Sequence, residues 1–227
     1  MTRKATPLKR RTLRDEVLEY LLDRIFKQEY QPGDRIVESR IAKELRISQG
    51  AVREAFRDFV AMGFLETKPF SSTGLRAFSV QELIDYYECR REIETVAIRW
   101  GIEKEHCSKY DFIFMDQCIK NLYLIQTEKD PITRSKTGLA FHETIVKGSG
   151  SLALVKSWRA LGHYYWSLMG LYWNSLHSQT PLKEKDLNNA DDHKIIYDAI
   201  HECDIEKTSQ LMKDHFEKAI CLLKNSD

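Results

Sequence analysis

"ISQGAVREAFRDFVAMGFLE", residues 47–66, carries two unlike faces on one helix-length run. At about 100° per residue, Gln49, Gly50, Arg53 and Arg57 fall in one arc of about 100°, and Val52, Ala55, Phe56 and Phe59 in another. The second arc packs. The first holds two cations, an amide and a glycine that lets a backbone come close. Arginine forks onto guanine or grips phosphate, and glutamine pairs bidentately with adenine. Ser48 stands where an N-cap belongs, and its hydroxyl with the free N–H groups of a first turn suits a phosphate oxygen. Gly63 is a natural C-terminal glycine. On the wheel alone, an ordinary amphipathic helix with a solvated charged face reads the same way.

The neighbouring segments narrow the choice. Leu13 to Phe26 has apolar residues at 13, 17, 20, 21 and 25, a helical stripe. Pro32-Gly33 forces a turn, and Glu38 to Leu45 reads as a short helix with Ile41 and Leu45 inward. "FLETKPFSSTGLRAF" (64–78) reads as two short strands around a loop with Pro69 and Gly74. Three helices and a ribbon predict a winged helix-turn-helix over residues 1–78, with 1–11 a basic flexible arm. From about Val80 the periodicity is helical, with breaks near 148–151 and 177–186. Residues 79–227 are therefore expected to form an all-helical antiparallel bundle. The fold class is mainly α.

The net charge of +1 conceals an asymmetry: residues 1–80 carry 16 Lys/Arg against 11 Asp/Glu, the rest 19 against 23. A basic first third on an acidic remainder points to an anionic partner for that third. With 30% charged and 42% hydrophobic residues the chain reads as globular rather than disordered. No apolar run reaches membrane-spanning length and "MTRKATPLKRR" leads into no signal core. Cys89, Cys107, Cys118, Cys203 and Cys221 form an odd set without CxxC spacing, as expected of reduced thiols in a cytoplasm.

"QPGDRIVESRIAKELRISQGAVREAF" (31–56) resembles the amino-terminal domain of GntR-type bacterial transcription regulators, in its PG turn, its E-x-x-I-A-x-x-L helix and S-x-x-x-V-R-E-A-F followed by G-F-L. "YYECRREIETVAIRW", "AFHETIVKGSGS" and "DDHKIIYDAIHECDIEKTSQLMKDHF" resemble the helical effector domain of its FadR subgroup. The resemblance implies a homodimer whose third helices enter the major groove of a palindromic operator. It implies DNA contacts at Ser48, Gln49 and Arg53, with Gly74 at the wing tip. Gln49 stands where many relatives have Arg. From charge and placement, Arg40 and Arg57 are expected on phosphates, and the arm adds non-specific contacts.

The resemblance further implies an organic-acid effector and, in many members, a metal held by an Asp, a His four residues later and two further histidines. His142, His193 and His215 match the histidine positions, and each lies on an apolar stripe of its own helix. Three inward imidazoles suit Zn²⁺ or Ni²⁺ with positions left for a carboxylate. Gly138 replaces the Asp, so a metal and a metal-free polar pocket stay equally open, with Asp192 or Asp214 as other oxygen sources. Arg90 matches the arginine of an R-x-x-x-E pattern and either clamps an effector carboxylate or pairs with Glu94 along its helix. The aromatic run 158–176, with Trp158, His163, Tyr164, Tyr165, Trp166, Tyr172 and Trp173, reads first as core or dimer interface and second as effector lining.

The expected function is an effector-controlled, sequence-specific DNA-binding regulator, a repressor, and not an enzyme. A zinc enzyme would use the three histidines but leaves the arginine-bearing helix unexplained. An architectural DNA binder leaves the histidine-bearing bundle without a purpose.

Overall fold

A computed structural model describes residues 12–27, 29–67, 73–125, 131–162 and 190–224. The chain divides into two compact units, 1–78 and 79–227.

The first unit opens with α1 (Leu13–Phe26), started by a capping box in which the Thr12 hydroxyl accepts from the Asp15 N–H and Asp15 accepts from the Thr12 N–H. α2 (Glu38–Leu45) ends at Arg46, whose φ of 56° turns the chain sharply into α3 (Gln49–Ala61). Ser48 caps α3 by accepting from the Ala51 N–H at 3.2 Å. Its far end closes at Gly63, φ 72°, where Phe64 N–H donates to the Phe59 carbonyl at 2.8 Å. This closure satisfies carbonyls the last turn would orphan, and only glycine enters that conformation cheaply. Val17, Leu21, Leu22 and Ile25 of α1 bury against Ile41 of α2 and Val52, Ala55, Phe56 and Phe59 of α3.

β1 (Leu65–Thr67) and β2 (Thr73–Leu75) pair antiparallel, Leu65 opposite Leu75 and Glu66 opposite Gly74. The stretch after the Pro-Gly turn joins the other edge of β2 through an Arg35–Gly74 bridge and the Ile36 N–H to Thr73 carbonyl bond of 2.9 Å. Gly74 therefore lies inside the ribbon and not at its tip, correcting the sequence-based placement. A Cβ on Gly74 would sit 2.9 Å from the Asp34 carbonyl oxygen, so the third strand-like segment, rather than a tight turn, demands the glycine.

In the second unit α4 (Val80–Glu103) starts with a Ser79–Glu82 capping box. It is followed by α5 (Lys109–Ile125), α6 (Pro131–Gly148), α7 (Leu152–Ala160), α8 (Ala190–His201) and α9 (Ile205–Lys224). α4 packs on α6 and α9, α5 on α6 and α8, and α8 on α9, so α6, α8 and α9 each turn a face inward. The turn after α6 is tight: a Cβ on Gly150, φ 67°, would meet the His106 ring at 2.6 Å. All five cysteines are free. No described helix is long and apolar enough to cross a membrane.

Candidate functional site

The exposed face of α3 is organised from α2. Gln49, Gly50, Arg53 and Arg57 are exposed, while Val52, Ala55, Phe56 and Phe59 are buried on the opposite side. Glu38, in the first turn of α2, accepts from Arg53 Nε at 3.2 Å and lies 3.5 Å from Gln49 Nε2. One carboxylate thus gathers the two side chains with base-reading chemistry. Periodicity along α3 could not reveal Glu38, because the turn at Arg46 brings it there. Among the described residues Arg57 makes no ion pair. Arg40 is held by Glu44 at 2.9 Å, and Glu44 also accepts from Tyr20 at 2.6 Å and Arg24 at 3.0 Å. These three donors draw the Glu44 carboxyl below its usual range, Tyr20 first and Arg40 second. The arm, residues 1–11, lies outside the described residues.

In the helical unit α6, α8 and α9 bring together His142, His193 and His215. Their ring centroids stand 5.1, 5.1 and 5.0 Å apart, and one ligand nitrogen from each lies within 4.8 Å of the others. His142 and His193 are fully buried and His215 nearly so.

Glu94 organises this group. Its Oε2 lies 2.6 Å from His142 Nδ1, and its Oε1 accepts from Arg90 Nε at 2.6 Å and Trp158 Nε1 at 2.7 Å. Burial by itself would raise the Glu94 carboxyl, but Arg90, then His142 and Trp158, hold it well below the usual range. It is therefore ionised and can only accept. Burial pushes the His142 imidazole down to about 4, against the pull of Glu94. A neutral ring facing a carboxylate through Nδ1 must carry its proton there, which leaves the Nε2 lone pair for a ligand. That is the carboxylate–histidine arrangement that orients metal ligands.

The donor set fits a divalent metal: three imidazoles on three helices, one tautomer fixed, and the His215 Nδ1 without a hydrogen-bond partner. Gly138 is buried one turn before His142 and offers no ligand atom. Asp192 lies 3.9 Å from His215 Nδ1 and accepts two bonds from Lys218 Nζ at 2.8 and 2.9 Å. His215 and then Lys218 lower its carboxyl to about 2. Asp214 is exposed and bound to Gln210.

Arg90 is 4% exposed, so its pair with Glu94 is a buried element of the histidine shell rather than a surface i, i+4 pair. Its guanidinium lies 5.0 Å from the Phe216 ring centroid, and its NH2 has no hydrogen-bond partner. Trp158 serves the same shell through its indole N–H. His163, Tyr164, Tyr165, Trp166, Tyr172 and Trp173 lie outside the described residues.

Residues 13–75 match the model for "Bacterial regulatory proteins, gntR family" and residues 85–218 the model for "FCD domain". The chain is 24% identical over 208 residues to a Paenarthrobacter nicotinovorans protein described as "Probable D-xylose utilization operon transcriptional repressor", covering 92% of this chain and 87% of that one. It is 26% identical over 161 residues to the transcriptional regulator Mce2R of Mycobacterium tuberculosis, covering 64% and 67%. Its fold is similar to that of E. coli McbR/YncC, with a TM-score of 0.73, 18% identity and 94% and 97% coverage. The GntR protein of Rhodococcus sp. RHA1 gives 0.70, 18%, 93% and 97%. Neither an enzyme nor an architectural protein is favoured by these relatives. With its helix-turn-helix followed by an FCD domain, the chain belongs to the bacterial transcription regulators of the gntR family.

Proposed function

We propose that this regulator belongs to the FadR subgroup and acts as a cytoplasmic repressor, binding a palindromic operator as a homodimer. Gln49 and Arg53 read bases, Gly50 lets the backbone close on the groove, and Ser48, Arg40 and Arg57 contact phosphates, with Gly74 letting the Asp34 backbone pack against the ribbon. The observation that carries this reading is the exposed Gln49–Arg53 pair braced by Glu38, on a helix whose other face is core. Arginine in the major groove supplies base discrimination, and the phosphate contacts supply salt-dependent affinity.

The helical domain holds Zn²⁺ or Ni²⁺ at His142, His193 and His215, and an organic acid binds there with Arg90 NH2 turned to its carboxylate. The metal would supply a Lewis-acidic centre to which such an anion adds. Glu94 keeps the His142 lone pair available, and Arg90 balances the Glu94 charge.

Selection of duplexes from a random library by the full-length protein, with sequencing, tests the first part. Enrichment of an inverted repeat is expected, and enrichment of nothing above input would overturn it. Elemental analysis with native mass tests the second: about one Zn or Ni per chain is expected, and protein free of metal even after zinc loading and desalting would overturn it.

A further inference from the structure

Arg134 of α6 is 2% exposed, yet no carboxylate among the described residues pairs with it. Its NH2 donates to the Ile125 carbonyl at 2.8 Å, capping the end of α5, while Nε and NH1 are buried without partners. Beside it Ser135 is fully buried and its Oγ has no partner either. A guanidinium stays charged at any physiological pH, and a buried charge without a counter-charge is among the costliest arrangements a fold tolerates. The helix cap accounts for one nitrogen of three. The other two, with the hydroxyl, form a set of donors awaiting an acceptor.

The position of these donors on α6 indicates the shape of what they hold. At about 100° per residue Arg134, Ser135, Gly138 and His142 share an arc of about 100°. Between Ser135 and His142 the only α6 residue on that arc is Gly138, which is buried and has no side chain. On that arc α6 thus carries a guanidinium and hydroxyl at one end, an imidazole of the three-histidine group at the other, and between them a strip where Gly138 adds no side chain. The rise from residue 134 to residue 142 is about 12 Å, too long for one small acid group to touch both ends.

We propose that Arg134 and Ser135 form an anion-binding subsite within the helical domain, and that its ligand is an elongated dicarboxylate lying along the Gly138 strip with its second acid group toward the histidines. The ligand acid accepts from Arg134 Nε and NH1 and from the Ser135 hydroxyl, the charge-assisted forked geometry that favours arginine for carboxylates. This rests on the reading that the domain takes an organic-acid effector, and it adds a length requirement and a second recognition point.

The test is isothermal titration of the full-length, zinc-loaded protein with acetate, succinate, glutarate, adipate and pimelate, alongside Arg134→Gln, Ser135→Ala, Glu128→Gln and Asp130→Asn variants. At least one dicarboxylate is expected to bind the wild type more tightly than acetate does. Arg134→Gln should weaken that dicarboxylate by about tenfold or more while leaving acetate within about twofold, with a smaller loss for Ser135→Ala. The ligand-free melting midpoint of Arg134→Gln should not fall, because the substitution removes a buried charge that no described residue compensates. Equal dicarboxylate binding by wild type and both site variants would overturn the subsite. So would a fall in the Arg134→Gln midpoint reproduced by Glu128→Gln or Asp130→Asn, since the chain itself would then supply the counter-charge. If no acid bound the wild type, the organic-acid reading would fall and the subsite with it.

Discussion

Glu94 Oε2 and His142 Nδ1 stand 2.6 Å apart in the interior of the helical domain, and this contact decides which nitrogen of His142 is free. The same carboxylate neutralises Arg90, so an ion pair and a candidate metal ligand depend on one side chain.

Glu94→Gln keeps the shape but removes the charge that holds the His142 proton on Nδ1. Zinc affinity, read by competition with a chromogenic chelator, is expected to fall about 10- to 100-fold. Stability should fall by about 3–5 kcal/mol because Arg90 is left buried without its partner. Unchanged zinc affinity in a folded variant would remove Glu94 from the metal shell.

Acid should destabilise the metal-free protein through His142. Its folded-state pKa of about 4 lies below the ordinary 6.5, so protons favour the unfolded chain. This contribution is fully present above pH 6.5 and is lost progressively toward pH 4. Urea midpoints measured across that window should fall more steeply for the wild type than for His142→Gln. Parallel curves would mean that His142 does not titrate as its burial requires.

Arg53→Ala is expected to lose at least about 1 kcal/mol of affinity for a selected duplex in fixed salt. Its thermal midpoint should stay close to the wild type, since the side chain is 55% exposed. Anisotropy titrations showing full affinity would displace the reading face from this side of α3.

Glu38→Gln separates bracing from contact. Removing a negative charge beside the DNA surface should strengthen binding to random-sequence duplex, while the ratio of selected to random affinity falls as Gln49 and Arg53 lose their common anchor. A ratio equal to wild type would make Glu38 a bystander.

Gly74→Ala places a Cβ 2.9 Å from a backbone oxygen, which cannot swing aside. A loss of about 1–3 kcal/mol in urea unfolding of the helix-turn-helix unit is expected. Wild-type stability would mean that the ribbon opens at Asp34 without cost.

Much of this was legible in the chain. The wheel of residues 49–59 separated the exposed face from the core because helical period is a local property, and Ser48 and Gly63 marked the ends through local capping chemistry. The three histidines were legible as inward residues, each from its own stripe. Gly74 was misplaced, because a glycine near Pro69 looks like a turn residue until a third segment is seen pairing with it. Arg90 was ambiguous for a related reason: i, i+4 spacing gives the pair but not its burial, and burial decides whether the pair matters.

By itself, then, the sequence determined the helix periods, their caps, the charge asymmetry and the residue types capable of reading DNA or ligating a metal, all matters of neighbours within a few positions. Only the tertiary structure decided that Glu38 reaches α3 from another helix. It alone brought His142, His193 and His215 to one point, tied them through Glu94 to Arg90 and Trp158, and left Arg134 buried without a counter-charge among the described residues. Those relations join residues far apart in the chain, and their energies come from burial and from the absence of water, which no local pattern records.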